Sequence, residues 1–171
     1  VGYGFIPNIE APQLAGCALE YSQEKGGWIV RVNDRMETSI DNILAAGEIT
    51  GVGGAQKSLN EGKTAAYTIM EKLGVEKMGK LVPILKKLTK ERKHHMSFVR
   101  CFNSLYRIKP KTILEIPDDT IICRCENIDM KSIKDAIQTG KSCHDPNSLK
   151  VSTRCAMGQC QGRICGPVIY D

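Results

Sequence analysis

Along the chain, apolar and polar positions change their rhythm three times. From Val1 to about Gly74, short apolar runs alternate with glycine. Gly26-Gly27-Trp28-Ile29-Val30-Arg31-Val32 reads as a strand, because β-branched and aromatic residues follow a glycine pair. Ile43-Leu44-Ala45-Ala46 reads as a second, buried strand. After Gly53-Gly54 the period lengthens. Ala55, Leu59, Ala66, Ile69, Met70 and Leu73 fall near helical spacing, and Gly74 supplies the stop.

From Val75 to about Arg107 the pattern is helical and lysine-rich. Leu81, Ile84, Leu85 and Leu88 form one apolar stripe, with Pro83 tolerable near a first turn. Met96, Val99, Phe102, Leu105 and Tyr106 form another, so two helices are expected. Two prolines and several charges between Lys109 and Asp119 mark a linker. Beyond it, Asp129 is placed to cap a helix whose face is Met130, Ile133, Ala136 and Ile137 and whose end is Gly140. Lys141 to Lys150 reads as loop, and a short helix is expected to start near Cys160.

Charge changes this picture little. The net charge of +5 is moderate, and its densest run, Lys86 to His95, reads as the solvated face of a helix. Basic residues are not interleaved with the few aromatics (three Phe, one Trp, five Tyr), so nucleic acid is not expected as a partner. There is no long apolar run, so no membrane-spanning segment is expected. The eight cysteines do not read as a disulfide framework, since four sit in two short motifs while Cys17, Cys101, Cys143 and Cys155 are scattered. A reducing, cytoplasmic setting is expected.

Those two motifs carry the most chemistry. Cys123 and Cys125 form a C-x-C within I-I-C-R-C-E. Cys160 and Cys165 form a C-x4-C within T-R-C-A-M-G-Q-C-Q-G-R-I-C-G. Four thiolates in two close pairs are the ligand set of iron–sulfur clusters and of many structural zinc sites. Gly158, Gly162 and Gly166 suit a loop that bends tightly and points backbone N–H groups at sulfur. Zinc sites favour two to four residues between paired cysteines, so an electron-transfer centre comes first and a zinc-stabilised binding module is the alternative. Cys143 and His144 are further candidate zinc ligands in that alternative.

The same residues resemble a known family. C-R-C-E, then a helix, then T-R-x-x-M-G-x-C-Q-G-R-x-C-G looks like the [2Fe–2S] domain related to bacterioferritin-associated ferredoxin. It is most similar to the version carried by FAD-dependent subunits of amino-acid, proline and opine dehydrogenases and of hydrogen cyanide synthase. The resemblance covers about Ile116 to Tyr170 and implies Cys123, Cys125, Cys160 and Cys165 as cluster ligands. Cys155 departs from the pattern, which usually has a small residue such as Ala. It is expected as a small buried residue beside the cluster; a fifth thiol there could also swap in as a ligand or form a disulfide after oxidation.

A second pattern lies upstream. Thr38-Ser39-Ile40-x-x-Ile43-Leu44-Ala45-Ala46-Gly47-Glu48 followed by Gly51-Val52-Gly53-Gly54-Ala55 delivers an acidic residue to a glycine turn that opens a helix. Free N–H groups at such a terminus suit an anionic or electron-rich ligand. With Gly2 to Asn8, this stretch resembles the C-terminal half of pyridine-nucleotide-type flavoprotein oxidoreductases. The resemblance implies FAD contacts at Gly47, Glu48, Gly53, Gly54 and Ala55, with Glu48 standing where the family usually has Asp. The alternative reading gives Glu48 a purely structural part, capping the helix that follows. The G-x-G-x-x-G fingerprint of FAD pyrophosphate binding is absent.

Together these readings predict an α/β remnant of an FAD-binding flavoprotein domain over 1–74, a helical connector over 75–115, and a small, mainly α-helical four-cysteine [2Fe–2S] domain over 116–171. The expected protein is the C-terminal portion of a longer FAD-dependent dehydrogenase subunit, with this portion alone inactive. Electrons would pass between flavin and cluster, the substrate being an amino acid or related amine. Expected partners are a second flavin-containing dehydrogenase subunit in a hetero-oligomer and an electron acceptor. Arg124, Lys150, Arg154 and Arg163 are candidates for positive charge around the cluster.

Overall fold

The computed structural model describes residues 5–76, 78–105, 110–139 and 145–169. Among the described residues it is mixed and mainly helical with two small sheets, and it divides into two compact units, Val1–Arg107 and Ile108–Asp171. Cys143, His144, Gly140, Tyr106 and residues 2–4 of the upstream flavoprotein-like segment lie outside the described residues.

The first unit begins with a short helix, α1 (Glu10–Leu14), and an antiparallel hairpin of β1 (Leu19–Ser22) and β2 (Gly27–Val30). Tyr21 and Trp28 face each other across it, edge to face at 5.6 Å. The hairpin's inner side joins Val30 to Cys17 and Ala45, with Ile9, Leu19, Val32, Ile43 and Ile49 packed around them. Ile43–Ala46 is not a strand, contrary to expectation. It makes one bridge, Glu37 to Leu44, in a loop stitched by the Thr38 hydroxyl to the Ile43 carbonyl (2.9 Å), and only Ala45 is buried. Turn-type backbone bonds, Thr38 N–H to Ile43 O (3.1 Å) and Ala45 N–H to Met36 O (3.0 Å), take the place of a longer ladder.

Helix α2 (Gly54–Lys72) forms where the periodicity placed it and ends at Gly74 in the left-handed region (φ +67°). Its apolar stripe does not face inward. Leu59, Ile69 and Leu73 of the apolar stripe are exposed, and the buried face is Lys57, Asn60, Glu61, Thr64 and Thr68. The reason is local: the loops beneath α2 carry buried backbone groups that need polar partners. Thr68 donates to the Arg35 carbonyl (2.9 Å), and Lys57 donates to the Gly47 and Gly51 carbonyls.

The two stripes of the lysine-rich region lie on one helix, α3 (Met78–Leu105), which packs against α2 and passes through Pro83 without a break. Leu81, Leu85, Leu88 and Val99 are its buried positions. Pro83 lies inside the helix and not, as expected, in its first turn; the hydrogen bond it removes is outweighed by the long run of turns that follows.

The second unit opens with a five-residue helix, α4 (Pro110–Leu114), inside the expected linker. A bulged hairpin of β3 (Ile121–Cys123) and β4 (Ile128–Asp129) follows. Asp129 caps α5 (Met130–Thr139) by accepting from Ser132 N–H at 2.8 Å, as the sequence suggested. The end of the segment read as loop belongs instead to α6 (Pro146–Thr153), started by a reciprocal Asp145–Ser148 capping box with Pro146 at its first position. The last helix, α7 (Gly166–Ile169), begins after the second cysteine pair and not near Cys160, because residues 156–165 are occupied by tight turns. Ile122, Met130, Ile133, Leu149, Ala156 and three cysteines form this unit's core.

Candidate metal centre and glycine turn

The cysteine site is assembled by the β3–β4 hairpin and the turns between α6 and α7. Cys123 ends β3 with its side chain buried, whereas Cys125 lies in the exposed hairpin turn. Cys160 is half-buried and Cys165 buried. Left-handed residues crowd the second motif: Arg154 (φ 63°), Ala156 (φ 66°), Gln161 (φ 52°) and Gly162 (φ 83°). These turns fold the chain back on itself so that its side chains converge on the hairpin. Gly158 makes the closest approach, since a Cβ there would stand 2.2 Å from Cys125 Cβ.

The thiols meet in two places. Cys123, Cys165 and Cys155 form a buried group whose sulfurs all lie within 4.8 Å of one another. Separately, the Cys125 thiol neighbours Cys160 and helps to lower its pKa. The four sequence-predicted ligands thus fall into the pairs Cys123–Cys165 and Cys125–Cys160, each joining one residue from either motif. Cys155, expected as a neighbour, is fully buried against the first pair.

Electrostatics differ along the site. Burial works against ionising Cys123, but N–H groups of Ala156 and Glu126 and the thiols of Cys165 and Cys155 outweigh it and hold its pKa below the ordinary thiol value. The Ile164 N–H, then the Cys125 thiol, lower Cys160, with further N–H help from Gly162 and Arg163. Burial and the neighbouring Cys123 charge push Cys165 up. Burial, followed by the Cys165 and Cys123 charges, pushes Cys155 to about 12. Among the candidate cations, Arg154 is tied to Glu126 (2.9 Å), and Arg124 and Arg163 are exposed.

In the first unit, the predicted contact residues gather at one turn. Glu48 Oε1 accepts from Gly54 N–H (2.9 Å), Gly53 N–H (3.2 Å) and the Ser58 hydroxyl (3.3 Å), so its carboxylate sits on the α2 N-terminus. Gly54 and Ala55 are exposed there. Gly47, at φ +92°, occupies backbone space that L side chains rarely adopt.

Beneath this turn lies a feature the apolar periodicity did not reveal. Lys57 and Glu61, 1% and 0% exposed, form a 2.9 Å ion pair. Glu61 also accepts from Gly47 N–H (2.9 Å), the Thr50 hydroxyl (2.7 Å) and Arg92 Nε (2.8 Å). Lys57 donates to Gly47 O (2.6 Å), Thr50 Oγ1 (2.6 Å) and Gly51 O (2.8 Å). Burial lowers the Lys57 pKa, and the Glu61 charge opposes that shift. The signal was available as polar residues at helical spacing: Lys57, Asn60, Glu61, Thr64 and Thr68.

Comparison with known proteins finds relatives along nearly the whole chain. The chain is 33% identical over 165 residues to an opine oxidase subunit of Rhizobium meliloti, covering 95% of this chain and 34% of that protein. It is 32% identical over 169 residues to hydrogen cyanide synthase subunit HcnB of Pseudomonas protegens, covering 96% of this chain and 34% of that protein. The chain is homologous to these oxidoreductase subunits.

The homology runs through nearly all of the chain, which spans about a third of the length of either relative. A shorter match, 38% identical over 50 residues (29% of this chain, 8% of that protein), links it to one subunit of the anaerobic glycerol-3-phosphate dehydrogenase of Haloferax volcanii. No family model matches the chain, and no solved structure matches it significantly. No helix among the described residues is long and apolar enough to cross a membrane.

Proposed function

We propose that this chain is the part of an FAD-dependent oxidoreductase subunit that holds a [2Fe–2S] cluster and contributes one wall of a flavin site. Cys123, Cys125, Cys160 and Cys165 would hold the cluster. The observation that carries this reading is the convergence of two thiol pairs, each already receiving backbone N–H groups at one sulfur. Such a donor set suits thiolate-ligated iron, whose sulfurs are commonly stabilised by N–H groups. A bound cluster supplies one-electron transfer.

The chain's own residues prepare the site for that group. Ala156, Glu126, Ile164, Gly162 and Arg163 hold thiolate charge through their N–H groups. Burial of Cys123 and Cys165 keeps water from one end, while Cys125 stands exposed at the other, the natural side for electrons to enter or leave. Gly47, Glu48, Gly53, Gly54 and Ala55 form the proposed flavin contact. There the Lys57–Glu61 pair fixes the Gly47 peptide, and Glu48 organises the N–H groups of the α2 terminus. The fold would then be that of an FAD-domain remnant joined to a cluster domain.

The relatives' designation as subunits supports assembly with a second, flavin-containing dehydrogenase subunit. The proposal takes an amino acid or related amine as the substrate, an external electron acceptor and a cytoplasmic setting; an opine oxidase among the relatives supports the substrate class. Three buried thiols within 4.8 Å of one another would equally suit a single zinc ion, which makes a zinc-stabilised module the second reading. Iron, acid-labile sulfide and zinc analysis of the chain purified without oxygen separates the two. The cluster reading expects about two irons and two sulfides per chain, and one zinc without sulfide would replace it with the second.

A further inference from the structure

The group of three buried thiols contains one more sulfur than its end of a four-thiolate site requires. Two thiolates on one tetrahedral metal with bonds of about 2.3 Å stand about 3.8 Å apart. Cys123, Cys155 and Cys165, all mutually within 4.8 Å, therefore need only small side-chain movements for any two of them to share a metal. Cys155 is 0% exposed, and its sulfur lies within 4.8 Å of those of both Cys123 and Cys165. Its direction is set by the backbone: Arg154 and Ala156 on either side are both left-handed, and Arg154 is anchored to Glu126. Among the described residues, Cys125 and Cys160 belong to no such three-thiol group.

We propose that Cys155 is a reserve ligand for the buried end of the metal centre, able to take the place of Cys165 or Cys123, and that the exposed Cys125–Cys160 end has no such reserve. The inference rests on the cluster reading given above. The exchange is redox-neutral. One iron–sulfur bond from Cys155 forms as the bond from Cys165 breaks; Cys155 gives up its thiol proton and the released Cys165 sulfur takes one up. A site built this way survives loss or modification of a buried ligand but not of an exposed one.

The test compares single replacements in the full chain, all in a Cys143→Ala background so that no other thiol of this unit contributes. Each protein is loaded anaerobically with ferrous iron and sulfide, and iron, sulfide, visible absorbance and circular dichroism are measured. The reference protein and its Cys155→Ala variant are expected to load fully. Cys165→Ala and Cys123→Ala are expected to keep most of their iron, whereas Cys125→Ala and Cys160→Ala lose it. Adding Cys155→Ala to Cys165→Ala is expected to abolish loading.

Cys165→Ser, with and without Cys155→Ala, repeats the comparison at conserved volume in case the smaller side chain unfolds the unit. In loaded Cys165→Ser, Cys155 should also resist alkylation until the iron is chelated away. Equal loss from all four single variants, retention in either double variant, or loss from Cys155→Ala alone would overturn the reserve role. Failure of the reference protein itself to take up iron and sulfide would instead remove the cluster reading, and the reserve role with it.

Discussion

Gly158 lies so close beneath Cys125 that a Cβ on it would stand 2.2 Å from the Cys125 Cβ and 3.3 Å from its sulfur. The first distance is far inside van der Waals contact, and the atom met is the root of a side chain, which cannot swing aside. Gly158→Ala must therefore push the two cysteine motifs apart. The expected cost is about 1–3 kcal/mol of stability, together with loss of metal loading. Denaturant titration and iron analysis of the variant check both; an Ala variant that loads normally would show that the motifs do not close around a shared centre.

Lys57 and Glu61 tie α2 to the Gly47 turn from inside the first unit. Lys57→Met leaves the buried Glu61 with Arg92 as its partner but strips the Gly47 and Gly51 carbonyls of their lysine donor, so it is expected to destabilise this unit by about 1–3 kcal/mol. The double variant Lys57→Met with Glu61→Leu should recover part of that loss, since no buried carboxylate remains. Equilibrium unfolding of the three proteins measures the recovery.

Glu37 bridges the 33–37 turn to the end of α2 through Lys72 (2.9 Å) and Asn33 (2.7 Å). The Lys72 hydrogen bond, then that of Asn33, holds its carboxyl below the ordinary value of 4.5. The folded state therefore binds fewer protons than the unfolded chain in that window, and the contribution to stability is present above about pH 4.5 and lost as pH falls through the folded value. Glu37→Gln is expected to be less stable than the parent at neutral pH, with the difference closing in acid. A constant difference across the titration would contradict the assignment.

Asp145 and Ser148 start α6, which buries Leu149 and leads into Cys155. Asp145→Ala removes acceptors for the Asn147 and Ser148 N–H groups and is expected to cost about 1 kcal/mol. The loss should appear in thermal unfolding of the second unit and leave the first unit's transition in place.

How far the sequence could be read depended on the kind of signal. Helix α2, its Gly74 stop and the Asp129 cap were legible because period and end chemistry agreed. Helix α6 was not, since Asp145-Pro146 reads as a turn when the capping partner at Ser148 goes unnoticed. The inward face of α2 was not legible, because apolar periodicity locates a buried side only where burial is apolar. Here unpaired loop carbonyls and N–H groups selected lysine, glutamate and threonine. Both cysteine motifs were plain from spacing. The crossing of their pairs, Cys123 with Cys165 and Cys125 with Cys160, was not, since it depends on left-handed turns at Arg154, Ala156 and Gln161, none of which is a glycine.

The most direct test of the central claim is the visible spectrum of the anaerobically loaded chain before and after dithionite. A thiolate-held [2Fe–2S] centre predicts broad visible absorbance that bleaches on reduction, with about two irons and two sulfides per chain. A colourless protein that takes up one zinc and no sulfide, and that cannot be loaded with iron and sulfide, would contradict it.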